Sequence, residues 1–238
     1  MRNLFWLIVG AALAVFVILV CVNAINFMDG LDGLAAGVVA IGASAFFVYA
    51  YLLSFEQELV RATTASLVSV ALVGVCVGFL PHNVYPARMF MGDSGSMLLG
   101  FLLATSMISL TGQLDPSQLD ADSNALISSY LPLLLPVAAM ALPFFDLASA
   151  YLRRTLAGRL WFEADKQHLH HRMLNLGHSH GSAVALLWLW SAVIAYGVVI
   201  VGLTNAPWAY AGLAGGLLLA LVLTFRPRVR ARARTRHA

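Results

Sequence analysis

Apolar residues fill seven long stretches of this chain, residues 4–22, 35–54, 65–80, 97–111, 128–145, 183–203 and 208–225. Several approach the roughly 20 residues that a helix needs to cross about 30 Å of hydrocarbon, and small flanking residues extend the shorter ones. The pattern predicts an all-α polytopic transmembrane bundle of seven spans over residues 1–225, followed by a basic tail at 226–238. Polar side chains gather between the stretches, and not evenly. Residues 23–34 read NAINFMDGLDGL, residues 86–96 read PARMFMGDSGS, and residues 163–180 read EADKQHLHHRMLNLGHSH. With seven spans these three loops share one side of the bundle, while the opposite loops carry no comparable cluster.

Composition agrees with the membrane reading and excludes an ordinary soluble domain. The chain is 61% hydrophobic and 11% charged, against roughly 25% charged residues in soluble proteins. The first stretch is longer than a secretory signal core, and Cys21-Val22-Asn23 offers no clear cleavage site, so it reads as a retained helix. The two cysteines, Cys21 and Cys76, lie within apolar stretches and make no disulfide framework. Charge then sets orientation. With the amino terminus outside, twelve of the 14 Lys and Arg residues fall on the side of the three polar loops and the tail. Only Arg2 and Arg61 lie opposite, so the positive-inside rule makes the carboxy terminus and the polar loops cytoplasmic. The arginine tail reads as a cytoplasmic end attracted to anionic lipid, with no part in nucleic-acid binding.

The three loops carry the candidate chemistry. Asn23, Asn26 and Asp29 are spaced by three and share one broad helix face. Gly30 and Gly33 let the backbone around Asp32 turn back toward them, although Asp32 can also simply cap the next helix. The D-x-x-D-G spacing does not fit an EF-hand. In the second loop, Gly92-Asp93-Ser94-Gly95 imitates the signature around a serine-protease nucleophile, but here it opens a membrane helix. Asp93 there can hold a hard cation, or it and Ser94 can cap that helix. The third loop places His168, His170, His171, His178 and His180 beside Arg172. Imidazoles with Arg172, Lys166 and Arg159 suit a polyanion such as a diphosphate; zinc ligation and a plain solvated loop remain alternatives. Asp146, at the inner end of the fifth stretch, is balanced between a functional part and simple pairing with Arg153 or Arg154.

Taken together, NAINFMDGLDGLAAG, PARMFMGDSGSMLLG, LPFFDL and ADKQHLHHRMLNLGHS resemble the polyprenyl-phosphate N-acetylhexosamine-1-phosphate transferases, in family order and at family spacing over residues 4–225. The H-x-H-H form at 168–171 is closer to the N-acetylglucosamine-1-phosphate branch than to the muramoyl-pentapeptide branch. The resemblance implies a multi-pass enzyme of the bacterial plasma membrane. It would transfer N-acetylglucosamine-1-phosphate, or a related N-acetylhexosamine-1-phosphate, from a UDP-sugar to polyprenyl phosphate and release UMP in cell-wall or surface-polysaccharide synthesis. It implies Asp93, Asp29 and Asp32 as catalytic carboxylates, and Asn26 and Asp93 as ligands of Mg²⁺, or of Mn²⁺ in its place. Asn23, Asn26, Phe90, His168, His170, His171 and Arg172 would contact substrate, with Phe90 on uracil and the histidines on the diphosphate. Membrane lipid is an implied partner, and a homodimer is compatible with it. The family also carries a D-D-x-x-D motif on an earlier inner loop, and no Asp-Asp pair occurs here. The resemblance therefore implies a chain lacking the family's amino-terminal third, with little or no transferase activity alone. Two other readings stand beside it: a non-catalytic remnant that binds UDP-sugar, and a His-rich metal or solute transporter.

Overall fold

An apolar segment in hydrocarbon must satisfy its own backbone, and the helix does so within one segment. The computed structural model describes residues 2–56, 62–111, 134, 137–156, 158 and 168–226, and all regular structure among them is helical. In chain order the helices are α1 (Arg2–Met28), α2 (Leu34–Glu56), α3 (Ala62–Asn83), α4 (Gly92–Thr111), α5 (Ala141–Leu156), α6 (Leu169–Asn175), α7 (His180–Thr204) and α8 (Pro207–Thr224). Six of them, α1 to α4, α7 and α8, are long and apolar enough to cross a membrane. The chain is a polytopic helical membrane protein. Of the expected span at 128–145, residues 134 and 137–145 are described; the last of them enter α5, which continues past the apolar stretch to Leu156. The basic tail from residue 227 onward also lies outside them.

Two helix ends differ from expectation, and both differences place polar residues on helices. The first helix does not stop at Val22 but continues to Met28, so Asn23 and Asn26 ride on its last turns. Asn23 turns its side-chain amide back onto the Leu19 carbonyl at 2.7 Å, which satisfies it without ending the helix. The fourth helix starts at Gly92 rather than near residue 97, so Asp93 sits in its first turn. An acidic residue there suits the positive end of the helix dipole.

Helix α2 is the centre of the bundle. Val39, Ala43, Ala45, Phe46 and Ala50 are fully buried along it, packed with the second half of α1 and with α3, α4 and the middle of α7. Small residues bring the helices close, as membrane packing requires. A Cβ on Gly100 would come within 2.8 Å of the Val22 Cα. Glycine is therefore what lets α4 lie directly against α1 and brings Asp93 to the level of Asn26. The first half of α1 is different: Leu4, Trp6, Leu7, Leu13 and Phe16 are all exposed.

A second apolar cluster lies beneath the polar loops. Met28, Leu31, Leu34, Val38, Leu142, Met173, Ala183, Val184 and Leu187 pack together there. They tie the end of α1 and the start of α2 to α5, α6 and the start of α7. The cluster is the floor on which the polar loops stand.

Candidate functional site

The three polar loops meet at one end of the bundle. Helix α1 ends there and α2 begins there, because a five-residue turn, 29–33, reverses the chain. Gly33 makes the reversal with φ +79°, a conformation that a Cβ disfavours. Its N–H donates 3.0 Å to Oδ1 of Asn83 at the end of α3, and the Asn83 amide donates 2.9 Å to the Met89 carbonyl in the next loop. Asn83 is 3% exposed. One buried carboxamide thus joins the first loop to the second.

Asp32 reinforces that junction. Its Oδ2 accepts from the Ala87 N–H at 3.0 Å, and its own N–H donates to Nε2 of His180 at 3.2 Å. The His180 ring stacks on Tyr85 with centroids 4.3 Å apart. The carboxylate of Asp32 therefore does not cap α2, although its charge still acts on Asp29. It fastens the second loop to the first.

Across the floor from this knot, α1 faces α4. The Asn26 amide donates to Asp93 Oδ1 at 3.1 Å and to Ser96 Oγ at 3.0 Å. Residues separated by 67 positions in sequence thus meet through one side chain. Ser96, fully buried, also donates back to the carbonyls of Gly92 and Asp93. Asp93 itself is exposed, and Asp29 is half-buried. Burial first, then the charges of Asp93 and Asp32, push the Asp29 carboxyl from 3.8 up to about 6. Carboxylates crowded in this way favour a proton or a divalent cation.

The histidine loop separates into distinct positions. His168 bonds through Nδ1 to Asp146 Oδ2 at 3.1 Å, and its ring lies tilted against Phe27 with centroids 5.7 Å apart. Asp146 does not rely on Arg153, whose guanidinium reaches Ser149 Oγ at 3.1 Å. His178 is buried and its Nε2 lies 2.8 Å from the Thr224 carbonyl at the end of α8, so it anchors the fold. His171 and Arg172 are exposed on α6. The side chain of His170 lies outside the described residues. Phe90 is 76% exposed in the loop before α4.

Asn26, Asp29 and Asp93 are thus brought together, with His168 beside the neighbouring Phe27. Asn23 lies one turn back along α1, bonded to its own helix. Among the described residues no three His, Cys, Asp or Glu side chains form a metal cage. The donors at hand are hard oxygens, one carbonyl and carboxylates. This set fits a magnesium ion that keeps waters and takes further oxygens from a phosphate ligand. Asn83, Asp146, Ser96 and His180 organise the site, although only Asp146 and His180 carry any signal in the sequence. Asn83 follows Pro81 at a helix end, where a lone Asn looks like a simple cap.

Comparisons with known proteins point the same way. Residues 2–111 match the model of glycosyl transferase family 4. Decaprenyl-phosphate N-acetylglucosaminephosphotransferase of Mycobacterium tuberculosis is 44% identical over 211 residues, 88% of this chain and 52% of that protein. Probable undecaprenyl-phosphate N-acetylglucosaminyl 1-phosphate transferase of Bacillus subtilis is 34% identical over 178 residues, covering 75% of this chain and 44% of the relative. Phospho-N-acetylmuramoyl-pentapeptide-transferase of Desulforudis audaxviator is 34% identical over 190 residues, 80% of this chain and 48% of its own length. The chain spans about half the length of these curated relatives.

Proposed function

The chain is a member of glycosyl transferase family 4, and on that premise we propose that its polar end binds a UDP-N-acetylhexosamine with Mg²⁺ for transfer of the sugar-1-phosphate to polyprenyl phosphate. UDP-N-acetylglucosamine is the favoured donor, since two of these relatives are named for N-acetylglucosamine transfer. The observation that carries the proposal is the Asn26–Asp93 contact beside Asp29, an oxygen-rich group that repels itself in the absence of positive charge.

In the proposed reaction an oxygen of the lipid phosphate attacks the sugar-bearing phosphorus of the UDP-sugar. A new P–O bond forms there, the P–O bond to UMP breaks, and UMP leaves. Asn26 and Asp93 would hold Mg²⁺, or Mn²⁺ in its place, with Asp29 close enough to add charge. The ion, when bound, supplies neutralisation of the charge that builds on the leaving phosphate. The remaining work belongs to the chain. Exposed Phe90 offers a face on which uracil can stack, and exposed Arg172 and His171 offer donors to diphosphate oxygens. Asp32 holds the two loops at fixed separation. The basic loops and tail support a cytoplasmic site in a bacterial plasma membrane, where a nucleotide-sugar and a membrane-anchored acceptor can meet.

The test is titration of the full chain in lipid nanodiscs with UDP-N-acetylglucosamine, with and without Mg²⁺, followed by assay of UMP release after polyprenyl phosphate is added. Mg²⁺-dependent binding is the expected result. Binding without UMP release assigns the chain a nucleotide-binding part only. Absence of affinity for UDP or its sugar in either Mg²⁺ or Mn²⁺ ends the proposal.

A further inference from the structure

Asp146 is 2% exposed, on an apolar floor, and both of its oxygens are engaged by the histidine loop. Oδ1 accepts the Leu169 N–H at 2.7 Å, and Oδ2 faces Nδ1 of His168 at 3.1 Å. His168 stands just before α6 with an extended backbone, φ −60° and ψ 157°, and its own side chain does not cap the helix. The carboxylate from α5 does that instead, and the same carboxylate holds the ring. An ionised carboxylate only accepts hydrogen bonds, so Nδ1 carries the hydrogen of the neutral imidazole. Any further proton on the ring is then carried by Nε2. The ring lies against Phe27, the residue that follows Asn26 on α1. His168 is thereby tied to the same helix end that presents Asn26 to Asp93.

We propose that Asp146 is a positioning residue that fixes the tautomer and orientation of His168, so that Nε2 is the ring atom presented to the diphosphate of a nucleoside-diphosphate ligand. The inference deepens the nucleotide-sugar reading and rests on it. A cap alone explains the bond to Leu169 but leaves the second oxygen's hold on the ring without a function.

Asp146→Asn separates the two. Its Oδ1 can still accept from Leu169, while its Nδ2 now donates to Nδ1 of His168 and moves the ring hydrogen to Nε2. In the full chain in nanodiscs with ¹⁵N-labelled histidine, the His168 resonances, assigned with His168→Ala, should show Nδ1 protonated in the native chain and Nε2 protonated in Asp146→Asn. Affinity for UDP should fall about tenfold in His168→Ala, which removes the ring, and by a smaller factor in Asp146→Asn with little change in Tm, because the ring keeps an N–H but loses the carboxylate that orients it. The double variant should lose no more than His168→Ala does. A native ring protonated at Nε2 overturns the inference, as does a reversed tautomer with unchanged UDP affinity. Should Asp146→Asn not fold, unchanged UDP affinity in His168→Ala overturns it alone. A native chain with no affinity for UDP sinks the nucleotide reading, while the ring signature still decides whether Asp146 sets His168.

Discussion

Two polar junctions share the same end of this bundle and are built on opposite plans. In the first, Asn83, Asp32 and His180 bind three backbone N–H groups, those of Gly33, Ala87 and Asp32, and Asn83 also donates to the Met89 carbonyl. Its central carboxamide is almost wholly buried. In the second, Asp93 is exposed, Asn26 bridges it to Ser96, and Asp29 is held well above the usual carboxylate range by burial and by its acidic neighbours. Polar groups satisfied by the backbone hold loops in place. Carboxylates pressed together at a surface have energy to release to an incoming cation. The difference separates scaffold from binding site with no reference to sequence similarity.

The comparison breaks most visibly at Asp93. Asp93→Asn keeps a side chain of the same shape next to Asn26 but removes the charge. Mg²⁺-dependent affinity for UDP-N-acetylglucosamine should fall at least about a hundredfold, in keeping with loss of a charged metal ligand. Thermal stability without Mg²⁺ should hold or rise, since Asp93 is one of the charges that strain Asp29. Calorimetric titration and melting in nanodiscs measure both. Unchanged affinity removes Asp93 from any metal-binding part. Asn83→Ala should do the reverse. It leaves the Gly33 N–H and Met89 carbonyl without their partner, at a cost of about 2–3 kcal/mol, read as a lowered Tm with the Mg²⁺ dependence of any surviving binding intact.

Much of this division is legible in the amino-acid sequence, and what is not has a physical cause. Asn26, Asp29 and Asp93 stand out because charge beside long apolar runs is costly and seldom incidental. Hydropathy likewise marks the helices, since it reports which segments belong in hydrocarbon. It does not report which polar tips meet. The five histidines at 168–180 read as one polyanion-binding group, whereas His178 anchors α8, His180 receives the first loop and His168 is held by Asp146. Nearby arginines are the obvious partners for Asp146 because they are close in sequence; its actual partner lies 22 residues away, brought there because α5 and α6 both pack on α7 and share the floor beneath them. The helix ends depart from the hydropathy pattern for a related reason. The apolar stretch ends at Val22, yet Asn23, bonded to Leu19, costs the helix little.

The crowded carboxylates make a pH prediction of smaller size. In the metal-free chain Asp29 has its carboxyl raised from 3.8 to about 6, so the folded state holds its proton where the unfolded chain releases it. Stability from this group is fully present below about pH 4 and is lost as pH rises through 6. Asp29 is only half-buried and solvent screens it in part, so the loss should be about 1 kcal/mol rather than the full value of the shift. Chemical denaturation at pH 4.5 and 7.5 should show the decline in the native chain, a flatter profile in Asp29→Asn, and a flatter profile when Mg²⁺ is added to the native chain. A native profile as flat as that of Asp29→Asn means that the three carboxylates are not crowded in solution.

The finest test lies at His180, where the closed junction is thinnest. Its Nε2 accepts from the Asp32 N–H at 3.2 Å, and its ring stacks on Tyr85. His180→Phe keeps an aromatic face for the stack and deletes the acceptor. Asp32 is only half-buried, so water can take up part of the lost bond, and the cost should be about 0.5–1 kcal/mol. His180→Ala deletes the stack as well and should destabilise further. In both variants nucleotide affinity should fall less than twofold, because Asp32 retains its bond to Ala87 and Asn83 still joins the two loops. If His180→Phe instead weakens UDP binding as severely as Asp93→Asn, the closed junction is part of the binding surface, and the boundary between scaffold and site must be drawn on the other side of Asp32.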